Sequence, residues 1–147
     1  MGVDISAIGT RRKARVVVLQ ALYEMDCSAH KLEEILARLS REKALPEEAV
    51  DFAHELATGI LHDKQKIDDA IRRLAPVFPL EQIAAVDRNI LRLAIFEILF
   101  DNNKVPIKVA VNEAVEMAKA FGSDVSPKFI NGVLGSVVGE VICGGKV

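Results

Sequence analysis

Four basic residues lie close together near the start of the chain: Arg11, Arg12, Lys13 and Arg15. Cations at this spacing can hold the phosphates of a nucleic acid or another anion. The alternative is a solvated helix start, because basic clusters are common on protein surfaces. Positive charge in the first turn of a helix opposes the helix dipole, and this local cost favours an anionic partner.

The charge of the chain is distributed unevenly. The net charge is +3 over residues 1–23, −6 over residues 24–63 and +1 over residues 64–147. The whole chain therefore carries −2, with a pI near 5.9, and has no general attraction for nucleic acids. The sequence predicts one local anion site on a near-neutral body.

The composition indicates a globular protein of the cytoplasm. The 147 residues are 50% hydrophobic and 27% charged, which suits one domain with an aliphatic core. The two cysteines, Cys27 and Cys143, form no CxxC pair, and the N-terminal segment lacks the apolar core of a signal peptide. The most apolar stretches, residues 90–100 and 129–142, are too short to span a bilayer.

The residues that could support catalysis do not form a recognisable motif. The pair His54-Glu55 begins like the zinc motif HExxH, but Thr58 stands where that motif needs its second histidine. The glycine-rich phosphate-binding motifs do not occur, and the adjacent acids Asp68 and Asp69 point to different faces of a helix. We therefore expect no enzyme activity, no metal site and no cofactor.

Helical periodicity runs through nearly the whole chain and predicts an all-α fold of about seven helices in two small sub-bundles. The sub-bundles would cover about residues 1–77 and 78–147. A long apolar helix from Leu80 to about Phe100 would be the central helix of the fold. Capping residues and helix-starting prolines mark the other helix starts: Thr10, Ser28, Pro46, Pro106 and Ser126-Pro127.

Four polar residues interrupt the apolar helical patterns. Asp87 and Arg88 lie in the central helix, where they belong either to an intrahelix ion-pair network or to an interface. Asn112 and Asn131 lie inside the last two helices, although asparagine disfavours helix interiors. We expect these two amides to bond each other or to cap neighbouring helices in the core.

The last predicted helix has an unusual start and an unusual surface. Lys128 and Phe129 lie at its start, where the aromatic either belongs to the core or, beside a base, stacks a nucleobase. Three glycines follow at Gly132, Gly135 and Gly139, and each lowers helix propensity. Close approach of another helix is the expected reason for them.

Four blocks of the sequence resemble the NusB family of bacterial transcription antitermination factors. In chain order they are RRKARVVVLQALYEMD, VDRNILRLAIFEIL, VPIKVAVNEAVEMAKAFG and SPKFINGVLG. The combination is specific and covers nearly the whole chain, although residues 28–77 resemble the family least. Phe78 stands where many members have Trp, and Phe96 where Tyr is frequent; neither difference affects the implied function.

The resemblance implies an all-α fold and a role in binding rather than catalysis. Members of the family pair with NusE, a small-subunit ribosomal protein, and bind the single-stranded boxA element of nascent RNA within an RNA polymerase antitermination complex. Tyr23 and Asp87 match positions associated with partner or RNA contacts, and we expect them to bind the partner. The positions that match RNA contacts are Arg11, Arg12, Lys13, Arg15, Lys128 and Phe129. One basic cluster and few aromatics fit a weak RNA binder that needs its protein partner.

Two other functions stay open from the sequence. The same fold precedes the catalytic domain of an rRNA cytosine methyltransferase, so an RNA-binding accessory domain is one alternative. This chain stops at Val147 without such a catalytic domain, which disfavours that reading. A protein–protein adaptor without RNA contact is the other alternative. Some family members form homodimers, and a dimer that buried residues 11–15 would mask the RNA site.

Overall fold

The computed structural model describes the backbone of residues 3–76, 79–102 and 104–144, and their side chains from residue 9 onward. This part of the chain forms seven α-helices and contains no strand, which confirms the predicted all-α class. A 3₁₀ turn, Leu80–Gln82, precedes α5, and a π-helical segment, Phe96–Phe100, continues it. The helices are α1 (Val3–Cys27), α2 (Leu32–Glu42), α3 (Glu47–His62), α4 (Lys64–Leu74), α5 (Ala85–Ile95), α6 (Ile107–Phe121) and α7 (Ser126–Cys143).

The chain divides into two compact units, unit 1 (Met1–Thr58) and unit 2 (Gly59–Val147). The division lies within α3, whereas the sequence-based boundary lay near residue 77; Val77 and Phe78 are outside the described residues. Helix α4 belongs to unit 2 because it packs against α5 and α7. Two pairs of charged side chains support that packing, Asp68 with Arg92 and Arg73 with Glu140.

Unit 1 is built on the contact between α1 and α2. The apolar residues at helical spacing are buried as predicted, since Val17 and Val18 of α1 and Ile35 of α2 are each at most 1% exposed. Together with the fully buried Ala14 and Ala21, Val17 and Val18 form a pattern with spacings of three and four residues, which places them on one side of α1. Helix α3 adds further buried residues within this unit: Ala49, Ala53, Leu56 and Ala57.

Unit 2 is organised around α5, which packs against α4, α6 and α7. Seven of its residues are at most 6% exposed, including the charged Arg92: Asn89, Ile90, Leu91, Arg92, Leu93, Ala94 and Ile95. The predicted central helix is therefore confirmed in its burial. It is wrong in its extent, because residues 83 and 84 are extended and separate the 3₁₀ turn from α5.

Three predicted capping positions are wrong. Thr10 lies inside α1, which begins at Val3, so the basic cluster is more than one turn from the start of the helix and the dipole argument does not apply to it. The Ser28 hydroxyl donates to the Glu24 carbonyl (2.8 Å) and accepts the His30 N–H (3.1 Å), which closes the end of α1 instead of starting α2. Ser126 is the first residue of α7 rather than its N-cap.

Gly59, near the end of α3, is required by a close contact with a side chain of another segment. A Cβ at this position would run into the Phe96 ring, which lies across the helix backbone. The glycines of α7 do not have this role, since a Cβ at Gly132, Gly135 or Gly139 would meet nothing within 4 Å. The predicted close helix approach at α7 is therefore wrong.

The expectation for the two asparagines of α6 and α7 is wrong. Asn112 and Asn131 are exposed, so they neither bond in the core nor cap neighbouring helices there. Val109 and Phe121, which fit the apolar pattern of α6, are 43% and 41% exposed. The buried residues of α6 are three alanines, a methionine and one glutamate: Ala110, Glu113, Ala114, Met117 and Ala118.

Candidate nucleic-acid interface

The basic cluster lies on α1, in unit 1. Arg11, Arg12 and Lys13 are exposed, so three adjacent cations face solvent on consecutive positions of the helix. Arg15 is only 4% exposed, which differs from the expectation that it contacts RNA. One turn of helix separates Arg11 from Arg15, so the two arginines lie on the same side of α1.

A phenylalanine from α3 links these two arginines. The Arg11 guanidinium carbon lies 4.6 Å from the centroid of the Phe52 ring, and that of Arg15 lies 5.4 Å from it. Both distances are within the range of a cation–π contact, in which the electron-rich face of an aromatic ring attracts a cation. The sequence carried no signal for this contact, because α1 and α3 meet here only through tertiary packing.

Lys128 and Phe129 lie in the first turn of α7, in unit 2. Lys128 is exposed and Phe129 is half-buried, and the Phe129 N–H donates to the Val125 carbonyl at 3.1 Å. The turn before them is fixed by Ser126, whose hydroxyl accepts the Ser123 N–H at 2.9 Å. The turn is tight, since a Cβ at Gly122 would come within 2.9 Å of the Ala118 carbonyl oxygen.

The two predicted partner-binding residues differ in exposure. Tyr23 of α1, in unit 1, is 43% exposed. Asp87 of α5, in unit 2, is 8% exposed, and its Oδ1 atom is buried with no hydrogen-bond partner among the described residues. An unsatisfied buried acceptor is costly, so a donor from outside the chain would relieve this site.

The two arginines that follow Asp87 on α5 reach partners outside their own helix. Arg88 donates to the carbonyl oxygens of Leu80 (3.4 Å) and Ile83 (3.2 Å). Arg92 reaches across to α4, where its Nε and Nη2 donate to Asp68 Oδ1 and Oδ2 at 2.8 and 3.2 Å. The ion pair therefore joins two helices rather than two turns of one helix.

A second group of charges closes the end of α1 in unit 1. The Glu24 carboxylate pairs with the His30 ring at 2.8 Å and with the Arg38 guanidinium of α2. The hydrogen bond from His30 and then that from Arg38 hold the pKa of Glu24 below its ordinary value of 4.5. This cluster neutralises part of the acidic segment that follows the basic cluster in sequence.

Two negative findings apply to the part of the chain that the structure describes. His, Cys, Asp and Glu side chains do not gather there in groups of three or more that could hold a metal ion. None of the helices in residues 3–76, 79–102 and 104–144 combines the length and the apolar character that a bilayer crossing requires.

The fold and these surfaces define an all-α protein with a localised cationic face on its first helix. The family model described as the NusB family matches residues 12–139. A relative from Dehalococcoides mccartyi (strain CBDB1), transcription antitermination protein NusB, is 52% identical over 128 residues, which cover 87% of this chain and 89% of the relative. The protein of the same name from Herpetosiphon aurantiacus is 44% identical, over 88% of this chain and 90% of the relative.

Solved structures agree with the sequence relatives. T. maritima NusB superposes with a TM-score of 0.81 at 36% identity, over 88% of this chain and 91% of the other. A chain from a structure of the antitermination factors NusB and NusE in complex with dsRNA shares the fold, with a TM-score of 0.79 at 24% identity over 87% and 95% of the two chains. The chain belongs to the NusB family of transcription antitermination proteins.

Proposed function

We propose that this antitermination factor binds the single-stranded boxA element of nascent RNA through the exposed cations of α1. The observation that supports this most directly is the side-by-side exposure of Arg11, Arg12 and Lys13 on an otherwise near-neutral chain. Three cations on consecutive positions hold backbone phosphates, whose release of counterions drives binding. Arg15 is buried, so in this proposal it supports the cluster and does not touch RNA.

Lys128 and Phe129 are proposed as a second contact for the RNA. Single-stranded RNA is recognised by stacking unpaired bases on aromatic or arginine planes while cations hold the phosphates. Lys128 supplies an exposed cation, and Phe129 beside it is only half-buried.

NusE is proposed as the protein partner, with Tyr23 and Asp87 as contacts. A family relative of known structure forms a complex with NusE and dsRNA, which supports an assembly of these three components. Tyr23 presents an amphipathic ring at the surface, and Asp87 carries a buried acceptor without a donor. Binding of NusE would satisfy that acceptor and add surface for the RNA.

The role proposed is binding without catalysis. The family is a regulatory one, and nascent transcripts are made in the bacterial cytoplasm, where we place this protein. Antitermination requires the protein to hold RNA and a partner near RNA polymerase, and none of these tasks needs a chemical step on the RNA.

The proposal is tested by titrating a fluorescent single-stranded boxA RNA with the protein and following anisotropy, with and without NusE. We expect modest binding by the protein alone and tighter binding when NusE is present. A scrambled strand and a duplex of the same sequence are the controls, because the related complex contains dsRNA. Equal affinity for the boxA and scrambled strands would contradict the proposed specificity, and the absence of any effect of NusE would contradict the proposed assembly.

A further inference from the structure

The ring of Phe52 stands against two guanidinium groups of like charge. Arg11 and Arg15 are four residues apart on α1, with their guanidinium carbons 4.6 and 5.4 Å from the ring centroid. Like charges at this helical spacing repel each other. The negative face of an aromatic ring attracts both cations, so Phe52 offsets this repulsion.

The two arginines differ in how far they reach the solvent. Arg15 is 4% exposed, so its side chain is held by the surrounding protein. Arg11 is exposed and carries a long side chain, which would otherwise sample many rotamers. Contact with the half-buried Phe52 limits that freedom while the Arg11 guanidinium stays at the surface.

We propose that Phe52 is a positioning residue for RNA recognition, which orders Arg11 before the RNA arrives. This inference rests on the proposed function, because it assumes that the basic cluster of α1 binds RNA. An arginine already ordered loses less conformational entropy when it binds a phosphate or stacks on a base. Phe52 thus acts on RNA affinity through Arg11, without touching the RNA itself.

The first test replaces Phe52 by leucine, which keeps the site apolar and removes the aromatic face. We expect Phe52→Leu to weaken boxA RNA binding about twofold to fivefold, the range of a partly exposed cation–π contact. Phe52→Tyr keeps the ring face and should restore the affinity. Phe100→Leu is the matched control, since Phe100 is also half-buried but lies in the π-helical segment of unit 2; it should leave the affinity unchanged.

A double-mutant cycle with Arg11→Ala separates positioning from a general loss of structure. If Phe52 acts through Arg11, Phe52→Leu adds no further loss of affinity when Arg11 is already alanine. Equal losses in the presence and absence of the Arg11 side chain would overturn the proposal, as would unchanged affinity in Phe52→Leu. Circular dichroism checks the fold of each variant, and Phe52→Met, with its adaptable side chain, takes the place of Phe52→Leu if the latter does not fold.

The failure of this inference is distinguishable from the failure of the proposed function. The Arg12→Ala, Lys13→Ala variant removes two exposed cations and leaves Arg11, Arg15 and Phe52 in place. If this variant loses RNA affinity and Phe52→Leu does not, only the positioning role is refuted. If neither loses affinity, the RNA site on α1 is refuted as well.

Discussion

The buried ion pair between α4 and α5 gives a demanding prediction for the stability of unit 2. Asp68 accepts two hydrogen bonds from Arg92, at 2.8 and 3.2 Å, and Arg92 Nη1 also donates to Asn89 Oδ1 at 3.0 Å. The side chains of Arg92 and Asp68 are only 7% and 12% exposed. Asp68→Ala would remove the two hydrogen bonds and the opposite charge that Asp68 supplies to the buried Arg92 guanidinium, so we expect the free energy of unfolding to fall by about 3 kcal/mol.

Thermal and urea unfolding followed by far-UV circular dichroism measure this loss. For a chain of this length, a loss of about 3 kcal/mol corresponds to a decrease in Tm of about 6–12 °C. The matched control is Asp69→Ala, the next acid on the same helix, whose pair with Arg72 at 3.1 Å is exposed and should be worth less than about 1 kcal/mol.

A double variant distinguishes the burial of an unpaired charge from the loss of the pair itself. Asp68→Leu, Arg92→Met replaces both charged groups by apolar ones of similar size, and it should recover most of the stability lost in Asp68→Ala. A loss of unfolding free energy in Asp68→Ala no greater than that in Asp69→Ala would refute the predicted role of the buried pair. A double variant as unstable as Asp68→Ala would refute it as well.

Three further predictions follow from single contacts. Gly59→Ala should destabilise the protein by about 1–3 kcal/mol, because the added methyl group would meet the Phe96 ring. Gly135→Ala, which has nothing within 4 Å of the added Cβ, should stabilise the protein by up to about 1 kcal/mol through its higher helix propensity. Urea unfolding measures both changes, and changes in the free energy of unfolding of the same sign would contradict the prediction. Because the folded-state pKa of Glu24 lies below 4.5, its contribution to stability is present above that pH and is lost as the pH falls through the folded-state pKa. In unfolding measurements below pH 4.5, Glu24→Gln should remove this acid-dependent loss of stability. The control is Glu34→Gln, which changes an exposed acid of the same unit. Identical pH profiles of stability for the wild type and Glu24→Gln would count against this role of Glu24. Asp87→Ala removes a buried acceptor that lacks a donor, so it should leave the free energy of unfolding unchanged or raise it by about 1 kcal/mol. The same variant should bind NusE more weakly in calorimetry. Unchanged NusE affinity would exclude Asp87 from the interface.

The helices and their buried faces were predictable from the sequence, but several of their ends were not. Apolar residues such as Val17, Ile35 and Ile90 recur at helical spacing, and the structure buries each of them. Helix ends depend on which of several polar groups takes a backbone hydrogen bond, as when the Ser28 hydroxyl bonds to Glu24 and His30 instead of starting α2. The break before α5 has the same origin, because Arg88 donates to the carbonyl oxygens of Leu80, the first residue of the 3₁₀ turn, and of Ile83, which follows the turn.

The candidate site was predictable only in its charged part. The run of cations on α1 is visible in the sequence, but the burial of Arg15 and the contact of Phe52 with Arg11 depend on how α1 and α3 pack. The pairing of Arg92 with Asp68 spans 24 residues and also depends on packing. Periodicity shows which face of a helix is apolar, and it does not show which residue from another helix covers a given side chain.

The proposed RNA binding depends most on whether the exposed cations of α1 hold RNA phosphates. The most direct measurement is the salt dependence of boxA RNA binding by three proteins. They are the wild type, the double variant Arg12→Ala, Lys13→Ala, and a control double variant, Arg41→Ala, Lys43→Ala. The control also removes one arginine and one lysine, from exposed positions elsewhere in unit 1. If both cations contact phosphates, the first variant should bind more weakly, and its plot of log affinity against log salt should be shallower by about 1.4. The control should keep the wild-type slope, and an unchanged slope in Arg12→Ala, Lys13→Ala would contradict the assignment of the RNA site.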